Sequence, residues 1–360
     1  MSGKTKVTTR DIARECGLSQ STVSMVLSGR MDMRFTPETI EKVMNTAKRM
    51  GYSYKRKTLK KENKSAKTIL IMCPSLSSEY YSILIKSITE SAARKGLYTL
   101  VSHTMRTLDR EEYYLNLAAD SGFFGVIYTY APKAVDLINQ LSKKQAYVLI
   151  NDYNPDLKIG LVELDSRKSG QLIAGHLISE GHRHIAYITT PLEDRELPRI
   201  NRLKGLRDGC LKAGLSADAI EVVALTQEQW NHYLLGNRYY DAGRQLVTAY
   251  LKQGGKATAF VGTNDPIAIG IIDALKQMGY SIPKDYSVCG FDNTLSSSFR
   301  GISLTTIDHC IDEKGKDAVD MLISSRQWIM KEKDGKQPPV MRLEYEPQLL
   351  VRDSTGKCRI

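Results

Sequence analysis

Side chains able to grip a polar ligand recur at one kind of place in this chain, directly after short apolar runs that read as strands. Pro74 and Ser75 follow the run at 69–73, Tyr130 closes the run at 125–130, and Asn151 with Asp152 ends the next. Asp165, Thr190 with Pro191, Asn264 with Asp265, and Phe291, Asp292 and Asn293 stand at the ends of later runs, and Arg195, Arg199 and Arg202 come just behind Thr190. Carboxylates, amides and guanidinium groups each hold vicinal hydroxyls in bidentate fashion, so their convergence suits a polyhydroxylated or otherwise polar small molecule. Tyr80 and Tyr81, just after the first run, supply an apolar stacking wall. Taken singly, each of these is more often a cap or a surface residue, and Asn264 and Asp265 make good helix N-caps. Their shared position at strand ends is what raises them.

That position requires a particular scaffold. Strands are expected at 69–73, 98–102, 125–130, 147–151 and 161–165, with helices at 79–95, 110–120 and 134–143 between them. A second series has strands at 184–190, 222–225, 257–263, 287–291 and 304–307, and helices at 166–180, 199–213, 241–253, 265–278 and 312–324. Sustained strand-helix alternation calls for parallel sheets covered on both faces. Ten strands are too many for one compact sheet, so two doubly wound α/β lobes are expected, with the ligand at the carboxyl ends of the strands. Such lobes also occur in enzymes, but the sequence has no G-x-G-x-x-G after the first strand, no phosphate-binding P-loop and no G-x-S-x-G elbow. His182 and His184 fall at a helix-to-strand turn, where structural roles are expected. An enzyme acting on a sugar-like substrate is the weaker reading, and no cofactor or metal is expected.

The first fifty residues have a different character. Ile12, Ala13 and Cys16 share one face of a short helix with Thr8 or Thr9 as N-cap, and Gly17 permits a chain reversal. Ser19 caps a second helix whose Val23, Val26 and Leu27 face the first. Gln20, Ser21, Ser24, Met25 and Ser28 are left on its first turn and outward face. A third helix has Thr36 as N-cap, Pro37 at the first position, and Ile40, Val43, Met44, Ala47 and Met50 at helical spacing before Gly51. Three helices with the second displayed make a helix-turn-helix headpiece. Charge separates this from any small trihelical domain. Residues 1–67 hold 16 Lys and Arg against 6 Asp and Glu, whereas the other 293 residues hold 35 against 34. A surplus so concentrated suits displacement of counterions from phosphates. Residues 53–67, with Lys55, Arg56 and Lys57, have no apolar periodicity and read as a basic linker that orders along DNA.

At 360 residues and 42% hydrophobic, the chain is long enough for two or three domains. No apolar run approaches the ~20 residues of a membrane span, and the N-terminus lacks the apolar core of a secretory signal. Six cysteines without a C-x-x-C pair fit reduced, buried thiols, so a cytoplasmic protein is expected.

The headpiece VTTRDIARECGLSQSTVSMVLSG, the segments TNDPIAIGIIDALKQMGYSIPKD and YSVCGFDN, and the closing PQLLVRDST resemble the signatures of the lactose-repressor and galactose-repressor (LacI/GalR) transcription regulators, in order and spacing over essentially the whole chain. The resemblance implies a homodimeric repressor. Its headpieces would read two half-sites of a near-palindromic double-stranded DNA operator. Its effector domain, similar to periplasmic sugar-binding proteins, would take a carbohydrate-like small molecule. Regulation by a protein co-repressor is the competing possibility. The domains expected are a headpiece at 1–52, a linker at 53–67, an N-terminal lobe at 68–165 plus 294–325, and a C-terminal lobe at 166–293 plus 326–360. The absence of a heptad tail argues against a coiled-coil tetramer.

Carried onto this sequence, the resemblance implies base contacts by Gln20 and Ser21, and phosphate or capping roles for Thr8, Ser19, Thr22 and Ser24. Met25 stands where the family commonly has a basic residue, and offers only apolar contact, for example to a thymine methyl. In the cleft, Asp165, Arg202, Asn264 and Asp292 match ligand positions, Tyr80 and Tyr81 stand where many members have a phenylalanine pair, and Ser75 lies beside them. The region of Trp230 and Arg238 also resembles one that places an aromatic on the ligand, without a residue-by-residue match. The family's hinge helix has no clear counterpart. The stretch 54–61 has no alanine, and its only leucine, Leu59, is about two positions out of register. Phosphate contact by the lysines is therefore expected in place of minor-groove insertion.

Overall fold

The computed structural model describes residues 7–27, 35–52, 64–150, 153–192, 197–234, 238–332 and 338–359. Lys55, Arg56, Lys57, Leu59 and the rest of the expected hinge lie outside the described residues, as do Ser28, Asn151, Asp152 and Arg195. The chain divides into two compact units, Met1–Lys64 and Ser65–Ile360.

The first unit holds three helices: α1 (Thr9–Cys16), α2 (Gln20–Leu27) and α3 (Pro37–Arg49). Thr8 and Asp11 form a reciprocal capping box at the start of α1, and Gly17 ends it in a left-handed turn at φ 67°. Ser19 Oγ accepts from Thr22 N at 3.0 Å, capping α2, and Thr36 Oγ1 accepts from Thr39 N at 3.3 Å at the start of α3. Ile12, Ala13, Cys16, Val23, Leu27, Val43 and Ala47 form the core. Met44, expected on the inner face of α3, is 52% exposed, and Thr46 is buried in its place. Two short partners cover less than a full apolar stripe of α3, and Val43 with Ala47 already fills what they cover.

The second unit contains two parallel sheets. The first has the order β11-β5-β4-β3-β1-β2 and the second β7-β6-β8-β9. Strands β1 (Thr68–Cys73), β2 (Tyr98–His103), β3 (Gly125–Tyr128), β4 (Ala146–Ile150) and β5 (Gly160–Leu164) alternate with α4 (Glu79–Arg94), α5 (Leu108–Asp120) and α6 (Val135–Leu141). Helix α7 (Ser166–Ser179) then opens the second lobe. It is followed by β6 (Ile185–Thr189), α8 (Leu197–Lys212), β7 (Ile220–Ala224), α9 (Gln227–Leu234), α10 (Tyr239–Lys252), β8 (Ala259–Gly262), α11 (Asp265–Gln277) and β9 (Ser287–Cys289). Neighbouring strands in both sheets run parallel. Strands β3, β4, β5, β6 and β8 are buried along their whole length, as sheets covered on both faces require.

The lobe boundaries differ from those expected. Helix α12 runs from Ile311 to Lys331, past residue 324, and packs on α4, β4 and β5. Strand β11 (Arg342–Tyr345) then extends the first sheet beside β5. The stretch 326–345 therefore belongs to the first lobe and not to the second, because Leu322, Ile329 and Leu343 bury against its core. Conversely, β10 (Thr306–Asp308) lies beside the second sheet, through bridges from Cys289 to Thr305 and from Asp292 to Asp308, and pairs antiparallel with β12 (Gln348–Leu350). Residues 294–308 accordingly go with the second lobe, where Leu304 and Ile307 are core residues. The chain thus crosses between lobes three times: from β5 to α7, from β10 to α12, and from β11 to β12.

Candidate functional site

In both sheets the strand order reverses beside the first strand of the lobe, at β2-β1-β3 and at β7-β6-β8. Ligands of open parallel sheets sit outside the carboxyl ends of strands at such reversals. Here both reversals border one cleft. The first lobe contributes Thr129 and Tyr130 from the end of β3, Arg106 from beyond β2, and Tyr80 and Tyr81 from the first turn of α4. The second contributes Thr263 and Asn264 from the end of β8, Asp292 from beyond β9, and Arg199 and Arg202 from α8. His309 and Lys314, on the crossing into α12, line its floor. The deep cavity, about 110 Å³, adjoins a wider space of about 540 Å³ bounded by Ser75, His103 and Trp230, with Tyr81, Arg106 and Tyr239 lining both.

The walls are stiffly braced. Arg202 Nη1 donates to the Thr263 carbonyl, Nη2 lies 3.1 Å from His309 Nε2, and its guanidinium stacks 4.5 Å above the centroid of Phe291. Arg202 Nε and His309 Nδ1 are buried without a hydrogen-bond partner. Burial holds the His309 imidazole well below the usual histidine range, and the charges of Lys314 and Arg202 push the same way. Burial pushes the Asp292 carboxyl well above the carboxylate range, Asp265 adds to this, and Arg202 opposes it. Tyr80 meets Tyr81 edge-on at 5.2 Å and His309 at 5.8 Å. Arg106 Nη2 donates to the Tyr81 hydroxyl at 3.1 Å, and its guanidinium lies 5.2 Å from the Tyr130 centroid. Met105 and Arg106 both hold left-handed backbone, at φ 51° and 56°, a costly conformation of the kind concentrated at binding sites. Tyr130 donates to buried Glu111 at 2.8 Å, and Glu111 also accepts from the backbone of Lys133 and Ala134, fixing the loop after β3.

On the headpiece, α2 buries Val23 and Leu27 while Gln20, Ser21 and Ser24 are exposed, and Thr22 and Met25 are half-buried. Gln20 Oε1 accepts from Arg10 Nε at 3.1 Å, which ties the start of α2 to α1.

Comparison with known proteins agrees with this architecture. The periplasmic binding protein-like domain family matches residues 174–355, half of the chain. The HTH-type transcriptional regulator DegA of Bacillus subtilis is 27% identical over 355 residues, 98% of each chain. The lactose repressor bound to ONPG in its repressed state superposes with a TM-score of 0.69 at 23% identity, covering 98% of this chain and 100% of that one. A LacI family regulator from Enterococcus faecium with bound ribose gives a TM-score of 0.69 at 23% identity over 81% of this chain and 100% of its own. The chain belongs to the LacI/GalR family of transcriptional regulators.

In this LacI/GalR regulator, Tyr80, Tyr81, Arg202, Asn264 and Asp292 come together around the deep cavity, and Ser75 borders the wider space. Asp165 does not line either. Its carboxylate caps α7 by accepting from Lys168 N at 2.9 Å, and the next residue, Ser166, reaches the cavity. An aspartate just before a helix satisfies the free N–H groups of the first turn, and that local bond claims the side chain. Asn264 combines both roles, because its Oδ1 caps α11 at 3.0 Å from Ile267 N while the residue lines the cleft. Asp265 is wholly buried and structural, accepting from Thr294 N at 2.9 Å and from Thr306 Oγ1 at 2.6 Å. Arg106, Tyr239, His309 and Lys314 were not expected at the site. Arg106 and His309 follow the expected strands at 98–102 and 304–307, so the strand-end rule applied to those two strands would have found them. Nothing local marks Tyr239 or Lys314. His182 is a brace, with Nδ1 2.8 Å from Thr258 Oγ1 and Nε2 2.9 Å from Ser287 Oγ. All six cysteines are free thiols.

On the headpiece, Thr8 and Ser19 act as caps, and the Thr22 hydroxyl rests 2.8 Å from Ser19 Oγ. Among the described residues, no helix is long and apolar enough to cross a membrane.

Proposed function

We propose that this regulator is a homodimeric, cytoplasmic repressor. The exposed face of α2, with Gln20, Ser21, Ser24 and Met25, enters the major groove of a near-palindromic operator, and a carbohydrate-like molecule in the cleft sets the grip on DNA. The observation that carries this reading is the sidedness of α2. A helix of eight residues that buries Val23 and Leu27 and exposes Gln20, Ser21 and Ser24 is built to be presented. Thr8, Ser19 and Thr22 position it and approach phosphates, Lys55, Arg56 and Lys57 neutralise flanking phosphates, and Leu59 lies in the same basic segment without the family's wedge role. Arg202, Asn264 and Asp292 hold the ligand's polar groups, with Tyr80 and Tyr81 as its apolar wall and Ser75 at the entrance; Asp165 acts indirectly, by placing Ser166. The relatives bound to ribose and to ONPG support a sugar-like effector. Leu76, Tyr98 and Leu100, exposed on and beside the edge strand β2, support pairing through the first lobe. A catalytic reading gains no support, because His182 is fully engaged in holding the second lobe together.

The effector acts through the three crossings. A ligand that binds one arrangement of the lobes more tightly than another shifts their equilibrium, and in a dimer that shift respaces the headpieces. The test is operator affinity, measured by fluorescence anisotropy with and without candidate ligands over a range of salt. A ligand that saturates the cleft and leaves operator affinity unchanged at every salt concentration contradicts the proposal.

A further inference from the structure

No charged residue stands between Gly17 and Gly29, so α2 offers only amide, hydroxyl and apolar side chains to whatever it meets. The commonest specific contact in the major groove is Arg or Lys bidentate to guanine O6 and N7, whereas an amide suits adenine. A cation nevertheless reaches this face from the neighbouring helix. Arg10, exposed in the first turn of α1, donates from Nε to Oε1 of Gln20, the first residue of α2, at 3.1 Å. Gln20 Nε2 in turn lies 3.5 Å from Thr9 Oγ1, so both ends of the amide meet α1. The carboxylate next to Arg10 in the chain, Asp11, is engaged with Thr8, accepting from its N at 2.9 Å and from its Oγ1 at 2.7 Å. The backbone beneath Arg10 is fixed as well. That capping box holds the first turn of α1, and Ile12 and Ala13 share one buried core with Val23 of α2.

Resting on the reading of α2 as the element that enters the major groove, we propose that Arg10 is a specificity-determining residue of the headpiece, held by Gln20 so that it reads a guanine in each half-site. The bond to Gln20 uses the Nε side of the guanidinium. It leaves the end of the planar fork, Nη1 and Nη2, for the acceptor pair O6 and N7. The first residues of a recognition helix are the ones that contact base edges, so an arginine anchored on Gln20 stands beside the bases and not only beside the flanking backbone. Gln20 keeps a second lone pair on Oε1 and the donors of Nε2, and so remains able to read a base itself. An arginine that merely neutralised phosphate would need no partner on α2 and would carry no sequence information.

The experiment uses the full chain. Double-stranded oligonucleotides with a randomised core are selected against the parent, Arg10→Gln and Arg14→Gln. The enriched duplex is then titrated by fluorescence anisotropy over a range of salt, with each base pair substituted in turn and symmetrically in both half-sites. Arg14, exposed one turn further along α1, is the control for charge alone. Both side chains are exposed, and thermal denaturation of each variant checks that the headpiece stays folded. In the parent, replacing one G·C pair per half-site should weaken binding roughly 5- to 150-fold. In Arg10→Gln that preference should vanish while the others remain, and Arg14→Gln should keep them all. The proposal is overturned if Arg10→Gln retains every base preference. That includes a uniform loss of affinity with a salt slope shallower by about one, which would make Arg10 a phosphate contact. It is equally overturned if the lost preference is for a base other than guanine, or if Arg14→Gln loses the same one. Each of these results leaves the headpiece standing as a reader of DNA. A parent that enriches no sequence would instead overturn the reading of α2 itself, and the role of Arg10 with it.

Discussion

Arg202 is held from three directions, by the Thr263 carbonyl, the His309 ring and the face of Phe291, and it lines the cavity. Preorganisation of this kind makes a charged hydrogen bond worth about 1.5–3 kcal/mol. Arg202→Gln should therefore weaken effector binding by roughly 10- to 100-fold, with operator affinity of the ligand-free protein unchanged, as read by paired ligand and DNA titrations. At the other unit, Gln20→Ala should cost about 1–3 kcal/mol at the base pair it reads and relax specificity there. A uniform loss across operator variants would show Gln20 to be a brace to Arg10 and not a reader. His182 gives a pH signature. Burial lowers its pKa below the ordinary 6.5, so the unfolded chain takes up a proton that the folded one refuses. Its contribution is full above pH 6.5 and declines as pH falls through the window below, by up to about 1.4 kcal/mol per pH unit. Thermal denaturation at pH 7.5 and 5.5 should show a smaller pH dependence in His182→Gln than in the parent.

Among the elements, the seating of α8 decides where Arg199 and Arg202 point. It lies so close to α7 that a Cβ on Gly205 would stand 1.9 Å from the Arg167 carbonyl oxygen, and one on Gly170 would stand 2.2 Å from that of Arg202. Backbone, unlike a flexible side chain, cannot swing aside. Gly205→Ala should destabilise the second unit by about 1–3 kcal/mol and displace Arg202 from the cleft. Gly175, also on α7, has nothing within 4 Å of its would-be Cβ. Gly175→Ala should raise stability by about 0.5–1 kcal/mol, the helix-propensity gain. Equal effects at the two positions would contradict the packing argument.

For the molecule as a whole, the lobes are joined by contacts as well as by chain crossings. Glu79, at the start of α4, accepts from Ser296 Oγ at 2.6 Å and Ser296 N at 3.2 Å, across the cleft. Lys168 pairs with Glu346 at the crossings themselves. Glu79→Ala removes the first contact, worth about 1 kcal/mol, and should weaken a ligand that favours the lobe arrangement this contact holds about fivefold. By reciprocity, the factor by which the ligand changes operator affinity in the variant must equal the factor by which the operator changes its ligand affinity. Ligand titration with and without operator, and operator titration with and without ligand, measure the two factors; unequal factors would point to a second ligand site.

Local physics made the alternation of strands and helices, the three headpiece helices and the displayed face of α2 legible in the sequence. Each rests on periodicity, caps and turns that act within a few residues. Tyr80, Tyr81, Arg202, Asn264 and Asp292 were legible for the same reason, since parallel sheets present their strand ends to one side. The lobe assignment of β11 and β10 was not legible, because short strands join whichever sheet offers an edge and a core, and that edge is built by residues far away in the chain. Asp165 stands outside the cavity lining because its nearest partners, the N–H groups of α7, claim the side chain. Only the tertiary structure could bring Arg106, Tyr239, His309 and Lys314 to one cavity, because a cleft is lined by whichever segments meet there, however far apart they lie in the chain.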